Sequence, residues 1–270
     1  MTYSPATVLD ATRQAQARDI NAHVLSAVGC QGTGKSSLLN AIAGEYIFAT
    51  GSGGGTTQTV QGEIRRWYTS TSPDYFHLID TPGLADSVVD RNAIHEMTRY
   101  IRGLENGVSA FLLVLSINEI RLDAFTQHML GLLQELLGRK FWKFVVLVFT
   151  HVDEEVYDEM SEHRAHIEDP QEGFVAELRR IYKLSSRSFD PQVIFTSTRN
   201  VRTSRHTQRY IEELRKAVLN CELQNDNKRF TCPLLREVLS LKNEQEKREF
   251  IKQSLREAWK SLAFTPCRLQ

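Results

Sequence analysis

His23-Val-Leu-Ser-Ala-Val28, then Gly29-Cys-Gln-Gly-Thr-Gly-Lys35-Ser36, then Ser37-Leu-Leu-Asn-Ala-Ile-Ala-Gly44 is the stretch that decides the fold. The first part is a short apolar run of strand character, and the last is a helix that Gly44 ends. Between them lies a turn matching G-x-x-x-x-G-K-[ST], in the strand-then-helix context that gives this pattern its meaning. Glycines let backbone N–H groups turn inward around phosphate oxygens, and the helix N-terminus adds partial positive charge. In such a loop Lys35 reaches the β- and γ-phosphates of a nucleotide and the Ser36 hydroxyl ligates Mg²⁺. Gln31, Gly32, Thr33, Gly34 and Ser37 complete the expected phosphate contacts.

Moving outward, the same alternation of strand and helix recurs. Val60–Thr69 alternates in strand fashion and Tyr75–Ile79 follows after the turn-rich Ser-Thr-Ser-Pro-Asp, which predicts a hairpin. A helix is expected at 93–104, a buried strand at Ala110–Ser116, a helix from about Asp123 to Leu137, and a buried strand at Phe144–Phe149. The polar stretch 151–173 reads as a connector before a helix at 174–183 and a strand at 192–196. Strands alternating with helices predict an α/β fold with a mostly parallel central sheet covered on both faces. Residues 1–20 form a weak N-terminal helical pattern, 21–204 the α/β domain, and 205–270 a helical, charged C-terminal extension.

Three further clusters extend the chemistry of the first. Asp80-Thr-Pro-Gly83 follows the strand run His-Leu-Ile about 45 residues after Lys35. An aspartate there can hold Mg²⁺ through water, and Gly83 offers an N–H to the γ-phosphate. Asp-Thr-Pro-Gly is also good turn chemistry, so the pairing with the phosphate loop carries the reading. In Gly55-Thr-Thr-Gln-Thr59, a threonine hydroxyl can complete the metal shell when the γ-phosphate is present. Thr57 is the choice, with Thr56 and Thr59 as rivals. Thr150-His-Val-Asp153 follows the strand run Val-Val-Leu-Val-Phe, where guanine-nucleotide proteins carry [NT]-K-x-D. Asp153 would accept from guanine N1–H and the exocyclic amine, donors that adenine lacks. His151 would lie over the base, unless it is an ordinary loop histidine. The last expected contact, to the guanine carbonyl, falls on Ser197 or Thr198.

Composition narrows the alternatives. Lys+Arg and Asp+Glu are 33 each, which argues against a globally basic nucleic-acid binder. Four scattered cysteines suit a reducing compartment rather than a disulfide framework. Residues 1–19 lack the apolar core of a secretory signal and the longest apolar runs are far too short to span a bilayer, so a cytoplasmic protein is expected.

With these residues in place, the chain resembles the AIG1-type GTPases (the GIMAP or IAN group), close to the chloroplast Toc receptor GTPases and to septins. The likeness rests on Asp80-Thr-Pro-Gly-Leu-Ala-Asp-Ser87, on Ile120-Arg-Leu-Asp-Ala124 with the helix ending Leu136-Leu-Gly138 and then Phe141-Trp-Lys143, and on Thr-His in place of Asn-Lys. It covers about residues 22–200. The family's usual Phe-Asn-Asn after the last strand is replaced here by Thr196-Ser-Thr-Arg-Asn200, a departure at the base-carbonyl contact. The resemblance implies a Ras-like P-loop GTPase domain that binds GTP and GDP with Mg²⁺. Leu84 stands where Ras-like enzymes place a water-orienting glutamine; it can neither donate nor accept a hydrogen bond, so slow intrinsic hydrolysis is expected. The resemblance also implies homodimerisation across the nucleotide face, with Arg121 reaching the partner's phosphates; a surface arginine pairing with Asp123 is the plainer alternative.

The C-terminal stretches 210–219 and 235–262 read as charged amphipathic helices, packed on the domain or lying on a membrane surface. Cys267-Arg-Leu-Gln270 fits a prenylation box apart from the non-aliphatic Arg268. Lipidation there would make the chain peripheral on a membrane. Three functions fit: a slow GTP switch, a septin-like nucleotide-stabilised scaffold or membrane coat with little hydrolysis, and an ATPase or nucleotide kinase, which Asp153 disfavours.

Overall fold

The structure, a computed structural model, describes residues 22–51, 59–81, 91–120, 122–152 and 160–263. The expectations for residues 1–20, Thr56, Thr57, Gly83, Leu84, Arg121, Asp153 and Cys267 lie outside the described residues.

Six strands form one sheet in the order β2-β3-β1-β4-β5-β6. They are β1 (His23–Val28), β2 (Gln61–Arg66), β3 (Tyr75–Asp80), β4 (Ala110–Ser116), β5 (Val145–Thr150) and β6 (Val193–Phe195). All neighbours pair in parallel except β2, which runs antiparallel to β3 as the hairpin reading expects. β5 is buried along its whole length and β4 along all but its last residue, so an unbroken apolar run is what covered faces require. Because β1, β3, β4, β5 and β6 are parallel, their carboxyl ends share one edge. Strand order reverses about β1, which lies between β3 and β4; in open α/β sheets such a switch point is where ligands bind.

Among the described residues the α-helices are α1 (Lys35–Ala43), α2 (Arg91–Gly103), α3 (Ala124–Leu137), α4 (Met160–Glu168), α5 (Phe174–Ile181), α6 (Arg205–Gln224), α7 (Pro233–Ser240) and α8 (Glu244–Ala263). Asp123 caps α3 by accepting from Thr126 N–H at 2.6 Å, and Ser204 caps α6 through Thr207 N–H at 3.2 Å. Gly44 ends α1 in the left-handed conformation (φ 71°), and an added Cβ there would lie 2.1 Å from the Tyr68 ring.

Four local expectations need correction. The connector read at 151–173 contains α4, which buries Ile167 and packs Met160 against the core but otherwise faces water, so its apolar period is faint. β2 stops at Arg66, opposite Tyr75 where β3 begins; beyond it Trp67 packs edge-on against Phe76, ring centroids 4.9 Å apart, and Tyr68 N–H donates to the Ile42 carbonyl at 2.8 Å. The helix expected to begin at Tyr210 begins at Arg205, where Ser204 supplies the cap. The 235–262 stretch is two helices, since α7 ends at Ser240 and α8 starts at Glu244.

The C-terminal segment shares the core of the domain. α6 packs on β5 and β6, while α8 packs across α2 and α3 with Ile251 and Leu255 fully buried. Of the two readings of these helices, packing on the domain is therefore the one observed. No helix among the described residues is long and apolar enough to cross a membrane.

Candidate functional site

The carboxyl edge gathers residues far apart in sequence. From the end of β1 the chain turns at Gly29, whose φ is +153° and where an added Cβ would meet the Val114 carbonyl oxygen at 2.3 Å. Only glycine lets the loop leave β1 so close to β4. The loop then closes on itself. Thr33 Oγ1 donates to the Cys30 carbonyl at 3.0 Å, and Lys35 Nζ donates to the same oxygen at 2.6 Å. Lys35 is buried and is the first residue of α1, with its ammonium turned back onto the loop. A buried ammonium and the N-terminus of α1 thus converge on one loop, an arrangement suited to an oligophosphate. Gln31 and Gly32 are exposed at the tip; Thr33, Gly34, Ser36 and Ser37 are half-buried along it.

Asp80, at the end of β3, is fully buried and reaches the same place from the neighbouring strand. Ser36 Oγ donates to its Oδ2 at 2.7 Å. A hydroxyl and a carboxylate side by side, both hard oxygen donors, suit Mg²⁺, which keeps several waters and takes few protein oxygens. Thr81, also buried, donates from Oγ1 to the Ala27 carbonyl at 2.7 Å and so fixes the exit from β3 against β1. On the opposite side, Cys30 Sγ lies 2.8 Å from Thr126 Oγ1 and also faces Asp123, which joins the loop to the first turn of α3.

The third strand end supplies a brace. Thr150, expected to touch nucleotide, is buried behind the loop, where its hydroxyl donates to the Thr33 carbonyl at 2.6 Å and lies 3.1 Å from the Leu115 carbonyl. Its side chain is committed to holding the loop, so its role there is positioning. His151 follows with φ 61°, its Nδ1 3.1 Å from Thr150 Oγ1. Beyond it opens a cavity of about 820 Å³ whose lining includes Ser37, Asn40, Tyr46, Thr50, His151 and Thr198. Of the two candidates for the last contact, Thr198 lines this cavity. Ser197 is buried, and its Oγ accepts from Arg199 N–H at 3.3 Å.

The structure thus brings together the phosphate loop, Ser36 with Asp80, and His151 with Thr198. It adds residues that sequence reading missed. Asn40 donates to the Phe48 carbonyl and accepts from Ile47 and Phe48 N–H, all within 2.8–2.9 Å, which fixes the segment after α1 along one side of the cavity. Its signal was a lone amide among apolar residues of a short helix. Arg202 donates to the Gly44 carbonyl through Nε at 2.9 Å and Nη2 at 2.7 Å; nothing in its sequence context marks it.

The sequence profile of the AIG1 family matches residues 24–250. The chain belongs to the AIG1 family. Among curated relatives, immune-associated nucleotide-binding protein 9 of Arabidopsis thaliana is 35% identical over 129 residues, 47% of this chain and 36% of that protein. Translocase of chloroplast 34 from the same plant is 28% identical over 155 residues, 55% of this chain and 47% of its own length. The chain thus spans less than half the length of either relative. Toc33 from Arabidopsis thaliana, solved with GDP and Mg²⁺, superposes with a TM-score of 0.59 at 19% identity, covering 82% of this chain and 92% of that one. For Toc33, dimerisation is important for GTPase activity. The AIG1 match agrees with the resemblance drawn from the motifs, and the Toc33 superposition agrees with the P-loop GTPase fold.

Proposed function

We propose that this AIG1-family chain binds GTP and GDP with Mg²⁺ and hydrolyses GTP slowly, as a nucleotide-dependent switch. The observation that carries this reading is the convergence at one sheet edge of a closed phosphate loop, its buried Lys35, and the Ser36–Asp80 pair at 2.7 Å. The bound metal would supply charge neutralisation at the β- and γ-phosphates. Ser36 is a direct ligand in this reading, Asp80 holds the metal's water shell, and Thr57 completes the shell when a γ-phosphate is present. Lys35 stabilises charge on the phosphates and Gly83 N–H contacts the terminal one. At the other end, Asp153 follows Val152 directly and reads guanine, His151 covers the base, and Thr198 lines the carbonyl side.

Leu84 gives the attacking water no partner, so we assign the missing catalytic group to a second copy. The nucleotide faces of two chains meet in the GTP state, and Arg121 of one stabilises transition-state charge in the other. Arginine fingers are worth roughly 10³–10⁵ in rate. Toc33, in which dimerisation matters for GTPase activity, supports this reading by analogy.

The test combines light scattering in GDP and in a non-hydrolysable GTP analogue with specific activity across protein concentrations, for wild type and Arg121→Ala. The expected result is dimer in the analogue only, activity per chain that rises with concentration, and an Arg121→Ala chain that binds GTP normally without that rise. Activity independent of concentration in wild type would instead identify a nucleotide-stabilised scaffold. An Arg121→Ala chain with undiminished turnover would remove arginine from the mechanism.

A further inference from the structure

The phosphate loop and the cavity meet on one short helix. α1 carries Lys35 and Ser36 at its N-terminus, while Ser37, Asn40, Ala41 and Gly44 line the cavity, and Asn40 and Gly44 hold the two segments that wall it. On one wall Asn40 fixes Ile47 and Phe48. On the other, the loop 196–203 departs from β6 carrying Thr198, and its link to α1 is the guanidinium of Arg202 on the Gly44 carbonyl. The Gly44 oxygen accepts two donors from one planar group across a sequence separation of 158 residues. That carbonyl is one of the last of α1, where a cation is also favoured by the helix dipole.

We propose that Arg202 is a positioning residue for base recognition: by clamping Gly44 it sets the distance between the base-reading loop and the phosphate-binding end of α1. This inference rests on the guanine-nucleotide reading above and deepens it. Gly44 is a rigid anchor, because its backbone is left-handed, its N–H donates to the Ala41 carbonyl at 3.3 Å, and the Tyr68 ring packs on its Cα. Tyr68 N–H in turn donates to the Ile42 carbonyl at 2.8 Å. The loop itself is held from β5 by Thr196 N–H to the Phe149 carbonyl at 2.8 Å, and from α6 by Thr207 Oγ1 to the Arg199 carbonyl at 2.9 Å and Gln208 Nε2 to the Val201 carbonyl at 3.0 Å. Those bonds hold its shape, and Arg202 supplies the tether to α1. Loss of the tether raises the cost of closing the loop on a base and leaves phosphate contacts untouched.

The experiment uses the full chain and compares wild type with Arg202→Ala and Arg202→Lys. Fluorescently labelled GDP is bound and chased with GDP, ADP or inorganic tripolyphosphate. Arg202→Ala is expected to release labelled GDP about tenfold faster, the lower end of the range for a lost charge-assisted bond at 1.4 kcal/mol per decade. Its affinity for tripolyphosphate, which has no base, stays at the wild-type value. Arg202→Lys recovers part of the loss, since an ammonium can donate to the same oxygen without the planar two-bond fit. Unchanged GDP release in Arg202→Ala overturns the inference, as does an equal loss for GDP and tripolyphosphate, which would mark a general disturbance. Wild type with no preference for GDP over ADP would overturn the guanine reading itself, a distinct result visible before any variant is made.

Discussion

Thr150→Val tests whether the brace behind the phosphate loop matters for nucleotide binding. Valine keeps the shape of threonine and removes one hydroxyl from a site with almost no solvent access. That hydroxyl has a single proton, and the 2.6 Å bond to the Thr33 carbonyl is the shortest of its contacts, ahead of the Leu115 carbonyl and His151 Nδ1, both at 3.1 Å. Losing the bond costs about 1 kcal/mol net, and an acceptor left without a partner on that side adds a similar amount or more. A total of about 2 kcal/mol lowers the melting temperature by roughly 4–8 °C for a domain of this size. The functional effect is separate. Thr33 sits between Gly32 and Gly34, both at positive φ (79° and 87°), so the loop has little intrinsic stiffness and leans on Thr150 for its shape. If about 1.4 kcal/mol of ordering is shifted to the binding step, GDP affinity falls about tenfold. Calorimetric titration with GDP, beside a thermal melt, measures both numbers. Thr150→Ser restores the hydroxyl and should recover most of each. A Thr150→Val chain that melts lower yet binds GDP as tightly as wild type would refute the claim that the brace pre-forms the loop.

Asp153→Asn should exchange base preference. In the guanine reading proposed above the carboxylate accepts twice from the base, and a loss of about 1.5 kcal/mol from each charge-assisted bond lowers GTP affinity roughly a hundredfold. Xanthine, which offers a carbonyl where guanine has an amine, should bind the variant better than wild type in competition, and no such gain would count against Asp153 as the base reader. Glu222→Gln should remove a pH-dependent contribution to stability. Burial raises the Glu222 carboxyl, but hydrogen bonds from His23 (2.8 Å) and Ser109 and the charges of His23 and Arg229 outweigh it, so its pKa is lowered. A lowered folded pKa stabilises above the unfolded value of about 4.3 and the benefit is lost as pH falls through the folded pKa. Denaturant melts should therefore separate wild type from Glu222→Gln near neutrality and converge under strong acid; a gap that persists there would contradict the assignment.

The phosphate end was legible because its chemistry is contiguous: Gly29 to Ser36 form one loop, and Asp80 is marked by the strand it ends. The parallel sheet was legible from the unbroken apolar runs of β4 and β5. The brace behind the loop and the far side of the cavity were legible only as single positions, since they are assembled by bonds between distant segments. Thr33 and Thr150 are 117 residues apart, and Gly44 and Arg202 are 158. No local pattern encodes such pairs. Thr150 was recognisable as part of a motif, yet its direction, into the loop rather than the cavity, depends on where β5 sits beside β4. α4 was missed for a different reason: one buried residue, Ile167, in nine is too faint a stripe to read as a period.

The C-terminal helices explain how the site can rest on loops and still be held. α2 and α3 leave the edge that carries the site, and α8 packs across both. Lys247 of α8 is 8% exposed and donates to Glu105, just past α2, at 2.8 Å; Arg102 near the end of α2 pairs with Glu244. A buried ion pair adds little net stability against well-packed apolar residues, but it fixes one arrangement, because a shift would strand a desolvated charge. On α3, the Leu262 side chain of α8 lies 3.4 Å from where a Cβ on Gly131 would be. The end of α2 remote from the site and the middle of α3 are thereby packed against one element. Asp123 and Thr126, in contact with Cys30, belong to the end of α3 nearest the phosphate loop.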